Sequence, residues 1–283
     1  MTRSVGVIPA AGEGRRMCPY SDVVPKQLIM YGDKPVIHHI LEMFKEVEVN
    51  QVVLVVNDIE GPIPNYVRNG SWLDMDVRYA VQEKPLGVAH ALLCAQTQLI
   101  ETLNADKIVH VNGDRLVNPS SVLQDLFESH SKQKRLSTFL VTKVSDPSAY
   151  GGLEVDSDTM RIRQIVEKPT KPQQQKLKLP NGGYLTTTGV YVHSPRFLEY
   201  LSKMEYGPTK GENQLVKACN EAIADGETIS AALLDCEMED FGTPENYLHA
   251  QWKFFNSIAE QHIARMSSEW KKLATDRSSI SSK

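Results

Sequence analysis

The chain has 283 residues, 41% of them hydrophobic and 23% charged, with a formal net charge of -4. Such a length and composition suit a globular chain with a large buried core and exclude a disordered or repetitive one. The mild negative charge excludes a basic field for nucleic acid, and no apolar run approaches the roughly 20 residues that span a bilayer. Cys18, Cys94, Cys219 and Cys236 are scattered without a C-x-x-C pair. They read as reduced thiols of a cytoplasmic protein, and a strand starting within the first residues leaves no room for a signal peptide.

Residues 5–9 form an apolar run that leads into Ala11-Gly12-Glu13-Gly14-Arg15-Arg16, with Pro25-Lys26 following. Gly12 and Gly14 carry no Cβ to hold a ligand off the main chain, so backbone N–H groups can converge on phosphate oxygens. Arg16 supplies a rigid cationic fork and Lys26 a mobile point charge. A Walker loop is excluded because no Gly-Lys-Ser/Thr occurs, and a dinucleotide fingerprint because Met17 stands where its third glycine belongs. The loop predicts a nucleoside triphosphate site.

Helical spacing then predicts a helix over 35–47, β-branched strands over 51–56 and 77–81, a long helix over 88–103, a strand over 107–111 and a helix over 116–130. This alternation implies a parallel sheet with helices on both faces and ligands beyond the carboxyl ends of its strands. From about residue 136 the rhythm changes. Strands are expected over 136–144, 152–155, 161–166 and 184–193, with a polar loop over 168–183. Helices over 195–203 and 212–225, a strand over 229–234 and a helix from 244 to about 266 complete the pattern. Residues 1–266 read as one domain, in two halves that meet at about residue 135. Residues 267–283 read as a tail, partly disordered.

Five further blocks carry chemistry. Gln82 offers an acceptor and a donor pair that match the carbonyl–imide edge of uracil or thymine, and Gly87 opens the following helix. A plain strand-end glutamine fits the same pattern. Asp114, in Val111-Asn112-Gly113-Asp114, sits at a strand's carboxyl end, where it suits either Mg²⁺ or an Asx turn. Tyr150-Gly151 and Glu167-Lys168-Pro169 flank two strands; a sugar phosphate offers hydroxyls for Glu167 and a dianion for Lys168, while an exposed charge pair would look alike. Tyr191 reads equally as a pocket or a core residue. Asp240 opens Asp240-Phe241-Gly242-Thr243-Pro244, whose Thr-Pro also marks a helix start.

In this order the blocks resemble the sugar-1-phosphate nucleotidyltransferases, with glucose-1-phosphate uridylyl- and thymidylyltransferases the nearest in pattern. The resemblance implies a Rossmann-like three-layer α/β sandwich with a mostly parallel mixed sheet and a smaller sugar-binding β elaboration, the nucleotide-binding half running to about 135 and the sugar-binding half over 136–266. It implies nucleotidyl transfer from UTP or dTTP to a glucose-type sugar 1-phosphate, with release of pyrophosphate, and it implies a homo-oligomer. Arg16, Lys26 and Asp114 would be catalytic. Ala11, Gly12, Gly14, Arg15, Gln82 and Gly87 would bind nucleotide, and Tyr150, Gly151, Glu167, Lys168 and Tyr191 the sugar phosphate. Asp114 and Asp240 would hold Mg²⁺. Gly211-Glu212 would open a helix, as in the family. Arg15 stands where the family often has threonine, and Arg115 where asparagine or histidine is usual; Arg115 suits either a phosphate contact or a local ion pair. The opening also resembles methylerythritol phosphate cytidylyltransferases, which lack the later blocks. A catalytically silent subunit that senses a nucleotide sugar is the remaining alternative.

Overall fold

The computed structural model describes residues 3–131, 134–207 and 213–280. Strand β1 (Ser4–Pro9) has apolar residues on both faces, so it can only lie in the middle of a covered sheet. A short hairpin, β2 (Met30–Tyr31) and β3 (Lys34–Pro35), leads to helix α1 (Val36–Glu46). β4 (Gln51–Val56), α2 (Pro62–Val67), β5 (Asp76–Val81), α3 (Val88–Cys94) and β6 (Lys107–Val111) follow. β5, β4, β1 and β6 lie side by side and parallel. Side chains alternate across this core. Val52, Leu54 and Val56 meet α1 on one face, whereas Val53 and Val55 meet α3 on the other.

Beyond β6 the sheet becomes mixed. After β7 (Arg115–Asn118) and α4 (Val122–Ser131) come β8 (Ser137–Val144), β9 (Gly151–Val155), β10 (Ile162–Glu167), α5 (Lys171–Leu177) and β11 (Tyr184–His193). α6 (Phe197–Ser202), α7 (Gln214–Ala224), β12 (Ile229–Leu233), β13 (Glu237–Asp240) and α8 (Pro244–Ile280) end the described chain. β11 pairs along one edge with β8, while its other edge serves two partners: β9 at Leu185–Thr186 and β6 at Val190–His193. The changeover is an irregularity around Thr188 and Gly189, where a φ of 84° at Gly189 turns the strand. α1 and α4 cover one face of the sheet and α3, α6 and α7 the other, the expected three-layer sandwich.

Four expectations change. Residues 116–130 are not one helix: β7 precedes α4 and pairs antiparallel with β13, a strand absent from the sequence reading. The long helix over 88–103 stops at Cys94 and continues as a wider, π-type turn over Thr97–Thr102. The polar loop over 168–183 contains α5, started by a capping box in which Thr170 and Gln173 bond each other's backbone. The last helix runs to Ile280, through part of the segment expected as tail. Its start is as expected, with the Thr243 hydroxyl accepting the Asn246 N–H. Gly211-Glu212 lies outside the described residues. Among the described residues no helix is long and apolar enough to cross a membrane.

The core also contains a polar seam. His110 and His193 are fully buried, their rings in contact, and His193 Nδ1 lies 2.8 Å from Ser137 Oγ. His130 Nδ1 lies 3.0 Å from Thr138 Oγ1. Burial holds His110 at about 3 and His130 at about 4, and pushes His193 well below the ordinary histidine value. Below about pH 6.5 the unfolded chain takes up protons that the folded one refuses, so acid favours unfolding. The urea midpoint measured from pH 8 down to pH 5 should fall, most steeply below about 6.5; a flat profile would overturn this account.

Candidate active site

The carboxyl ends of β1 and β6 meet at one point. The Gly113 N–H donates to Pro9 O, and the Asn112 N–H to Gly189 O, so the turn after β6 is tied to β1 and to the irregularity in β11. Asp114 leaves that turn, 8% exposed, and its Oδ2 lies 2.5 Å from Lys26 Nζ. Asp240 arrives from the far end of the sequence, because the β7–β13 ladder sets it directly opposite Arg115. The Phe241 N–H donates to Asp114 O, which fastens the two carboxylate-bearing segments together. Arg16 joins them: a Cβ built on Gly242 would lie 3.6 Å from Arg16 Nη2 and 2.8 Å from Asp240 Oδ1. The structure thus gathers Arg16, Lys26, Asp114 and Asp240, residues spread over most of the sequence.

Arg115 lies between the two aspartates. Its Nη1 is 2.7 Å from Asp240 Oδ2 and its Nε is 3.7 Å from Asp114 Oδ1. Of the two readings that the sequence left open, the local ion pair is the one realised. Burial alone would raise the Asp114 pKa, but Lys26, Arg115 and Arg16 together hold it below the usual carboxylate value. Asp240 Oδ1 accepts the Gly242 N–H at 2.8 Å. Hard oxygen donors are the right chemistry for Mg²⁺, yet these are already neutralised by internal cations. Among the described residues no third His, Cys, Asp or Glu joins them to make a metal-binding group. The two carboxylates as arranged do not fit a resident divalent cation.

The glycine loop lies beside this cluster. Gly14 needs its freedom, with a φ of 69°, and Ser21 Oγ bonds its carbonyl oxygen at 3.0 Å. Gly12 lies outside the left-handed region, and a Cβ there would meet nothing within 4 Å. Nothing in the protein itself demands glycine at this position; the open space is what a ligand would fill. Ala11 is buried, while Arg15 points to solvent and pairs with Glu13 at 2.5 Å. A cleft runs from Gly12 and Pro25 across to Asn57 and Asp58 beyond β4.

Gln82 is buried at the end of β5 and its amide is turned inward. Nε2 donates to Gly87 O at 3.0 Å and lies 2.9 Å from His90 Nδ1. A carbonyl partner accepts only, which fixes the amide orientation and leaves Oε1 as the acceptor of the side chain. Glu167 sits opposite Gly151 in the β9–β10 ladder, and the Lys168 N–H donates to Tyr150 O. Tyr150, Gly151, Glu167 and Lys168 therefore lie together. Tyr191 is a core residue, its ring edge-on to Phe139 and its hydroxyl, bonded to Thr187, pushed by burial up to about 12. A Cβ on Gly151 would lie 3.3 Å from Glu167 Oε2 and 3.7 Å from Thr187 Oγ1, and one on Gly189 would lie 3.0 Å from Arg115 Cγ, so β11 runs past both clusters.

Two contributors were missed in the sequence. Gln27, buried against Gly113, has an Oε1 with no partner; it follows Lys26 directly, and that position was its one signal. Ser21 holds the loop from a linker that carries no motif of its own.

The family model described as nucleotidyl transferase matches residues 5–257, and the chain belongs to that family. It is 30% identical over 244 residues to a glucose-1-phosphate thymidylyltransferase of Streptomyces antibioticus, covering 86% of this chain and 64% of that protein. It is 27% identical to mannose-1-phosphate guanylyltransferase 1 of Arabidopsis thaliana, covering 93% of this chain and 68% of that one. The chain thus spans about two thirds of these relatives' length. A crystal structure of UDP-glucose pyrophosphorylase complexed with UDP-glucose superposes with a TM-score of 0.72 at 23% identity, over 91% of this chain and all of that one. That likeness confirms the fold.

The two loop glycines separate stability from binding. Gly14→Ala should destabilise by about 1 kcal/mol, because alanine is strained at positive φ. Gly12→Ala should leave the melting temperature unchanged and weaken nucleotide binding. Melting curves and nucleotide titration of both variants check this; a destabilised Gly12→Ala would remove the argument for a ligand space.

Proposed function

We propose that the chain transfers a nucleotidyl group from a nucleoside triphosphate to a sugar 1-phosphate, releasing pyrophosphate, with UTP or dTTP and a glucose-type sugar favoured. The observation that carries this reading is the convergence of Arg16, Lys26 and Asp114 beside an open glycine loop, next to Glu167 and Lys168. A phosphate oxygen of the sugar would attack the α-phosphorus in line, so no protein nucleophile is needed. Lys26, held on Asp114, would meet the α-phosphate. Arg16 would take up charge on the departing pyrophosphate. Gly12 and Gly14 would admit the triphosphate to backbone N–H groups, with Ala11 beneath and Arg15 at the rim. Glu167 would accept from sugar hydroxyls and Lys168 would attract the phosphate, with Tyr150 and Gly151 shaping the wall and Tyr191 backing it. Mg²⁺ would arrive with the triphosphate as part of the substrate.

The orientation of Gln82 refines the base. With its donors spent on Gly87 and His90, the side chain presents an acceptor. That acceptor suits the ring N–H of uracil, thymine or guanine, and it faces a lone pair in adenine or cytosine. The named relatives, a thymidylyl- and a guanylyltransferase, fall within the accepted set. The cytidylyltransferase alternative falls outside it. The silent-subunit alternative keeps one supporting observation, the ion pair between Arg115 and Asp240.

Pyrophosphate release by purified protein, measured for each triphosphate against a panel of sugar 1-phosphates, tests the reading. UTP, dTTP or GTP should exceed ATP and CTP by about ten-fold or more in kcat/KM. Lys26→Met should lower turnover by about a hundred-fold. Nucleotide-sugar binding without turnover for any pair would establish the silent subunit instead.

A further inference from the structure

We infer that Arg115 is a built-in counter-ion that excludes a divalent cation from between Asp114 and Asp240. The four carboxylate oxygens are disposed around this one side chain and its neighbours. Asp240 Oδ2 takes Arg115 Nη1 at 2.7 Å and Asp240 Oδ1 takes the Gly242 N–H. Asp114 Oδ2 takes Lys26 Nζ at 2.5 Å, and Asp114 Oδ1 faces Arg115 Nε at 3.7 Å. A metal bridging both residues would have to displace the guanidinium, which is 2.7 Å from one carboxylate and 3.7 Å from the other.

Arg115 is held there by more than its charge. Its side chain is 16% exposed, so it is no solvated surface arginine. Ladder pairing fixes its Cα opposite that of Asp240. Its stem crosses Gly189, where an added Cβ would lie only 3.0 Å from Arg115 Cγ, so the turn in β11 leaves a channel that the stem fills. Lys26, Arg115 and Arg16 already outnumber the two aspartates, and a further double charge at this spot would sit against three cations without relief. Asp240 is accordingly an anchor for Arg115 rather than a metal ligand.

This inference concerns the protein without nucleotide and stands apart from the transfer reaction, so each can fail alone. Binding of Mn²⁺ to nucleotide-free protein, followed by the electron paramagnetic resonance signal of the free ion, tests it. Arg115→Asn should bind Mn²⁺ about ten-fold or more tighter than the wild type, and adding Asp240→Asn should abolish the gain. Asp240→Asn alone should leave the wild-type affinity unchanged, and it keeps the question decidable if Arg115→Asn does not fold. Three results would each overturn the inference: no gain from a folded Arg115→Asn, a gain that survives Asp240→Asn, or a loss of about ten-fold or more in Asp240→Asn alone.

Discussion

Arg115 and Asp240 face each other across a ladder of four residue pairs, and the site depends on that meeting. The ladder carries the chain's last strand back to the carboxyl ends of β1 and β6 and delivers Asp240 beside Asp114. It also positions α8, whose first residues follow directly. Gln251 on that helix donates to Met30 O and accepts the Gly32 N–H, and Phe254 packs so closely on Gly32 that no Cβ could be added there. The hairpin held in this way begins four residues after Lys26. The segment that follows the glycine loop therefore rests on the far end of the sequence.

Charge in this cluster is managed by alternation of sign. Lys26, Asp114, Arg115 and Asp240 form a chain of opposite charges, each largely shielded from water, so each member's removal would leave a neighbour uncompensated. Arg16 stands at the end of this chain, towards the open glycine loop. An incoming polyanion thus meets a surplus of positive charge without the protein having a positive net charge, which its composition denies it.

The central sheet was legible because burial on both faces leaves a plain signature: Val52 to Val56 could hardly be anything but an inner strand, and the spacing of Ile37, Ile40, Leu41 and Phe44 marks one face of a helix. The motif residues were legible because glycine, charge and strand end coincide at Gly12, Gly14, Lys26 and Asp114. What escaped depends on distant partners. β7 and β13 are four residues each, too short for a periodic pattern, and the helix expected over 116–130 starts six residues before α4 does. Which way Gln82 turns is decided by the Gly87 carbonyl, and which partner Arg115 takes is decided by a strand more than a hundred residues later. The second answer lies far outside any local window, and the first, only five residues away, turns on backbone geometry that residue types do not display.

β11 has a mechanical consequence. Its first half is laced to β9, its second half to β6, and β8 binds it along nearly the whole of the other edge. The strand beside the Glu167–Lys168 hairpin is thus the same strand that borders the parallel part of the sheet, with no linker between them. The two halves cannot swing about a hinge without tearing backbone hydrogen bonds on both edges. Movement above the sheet must therefore come from loops at its rim, while the floor beneath them behaves as one plate.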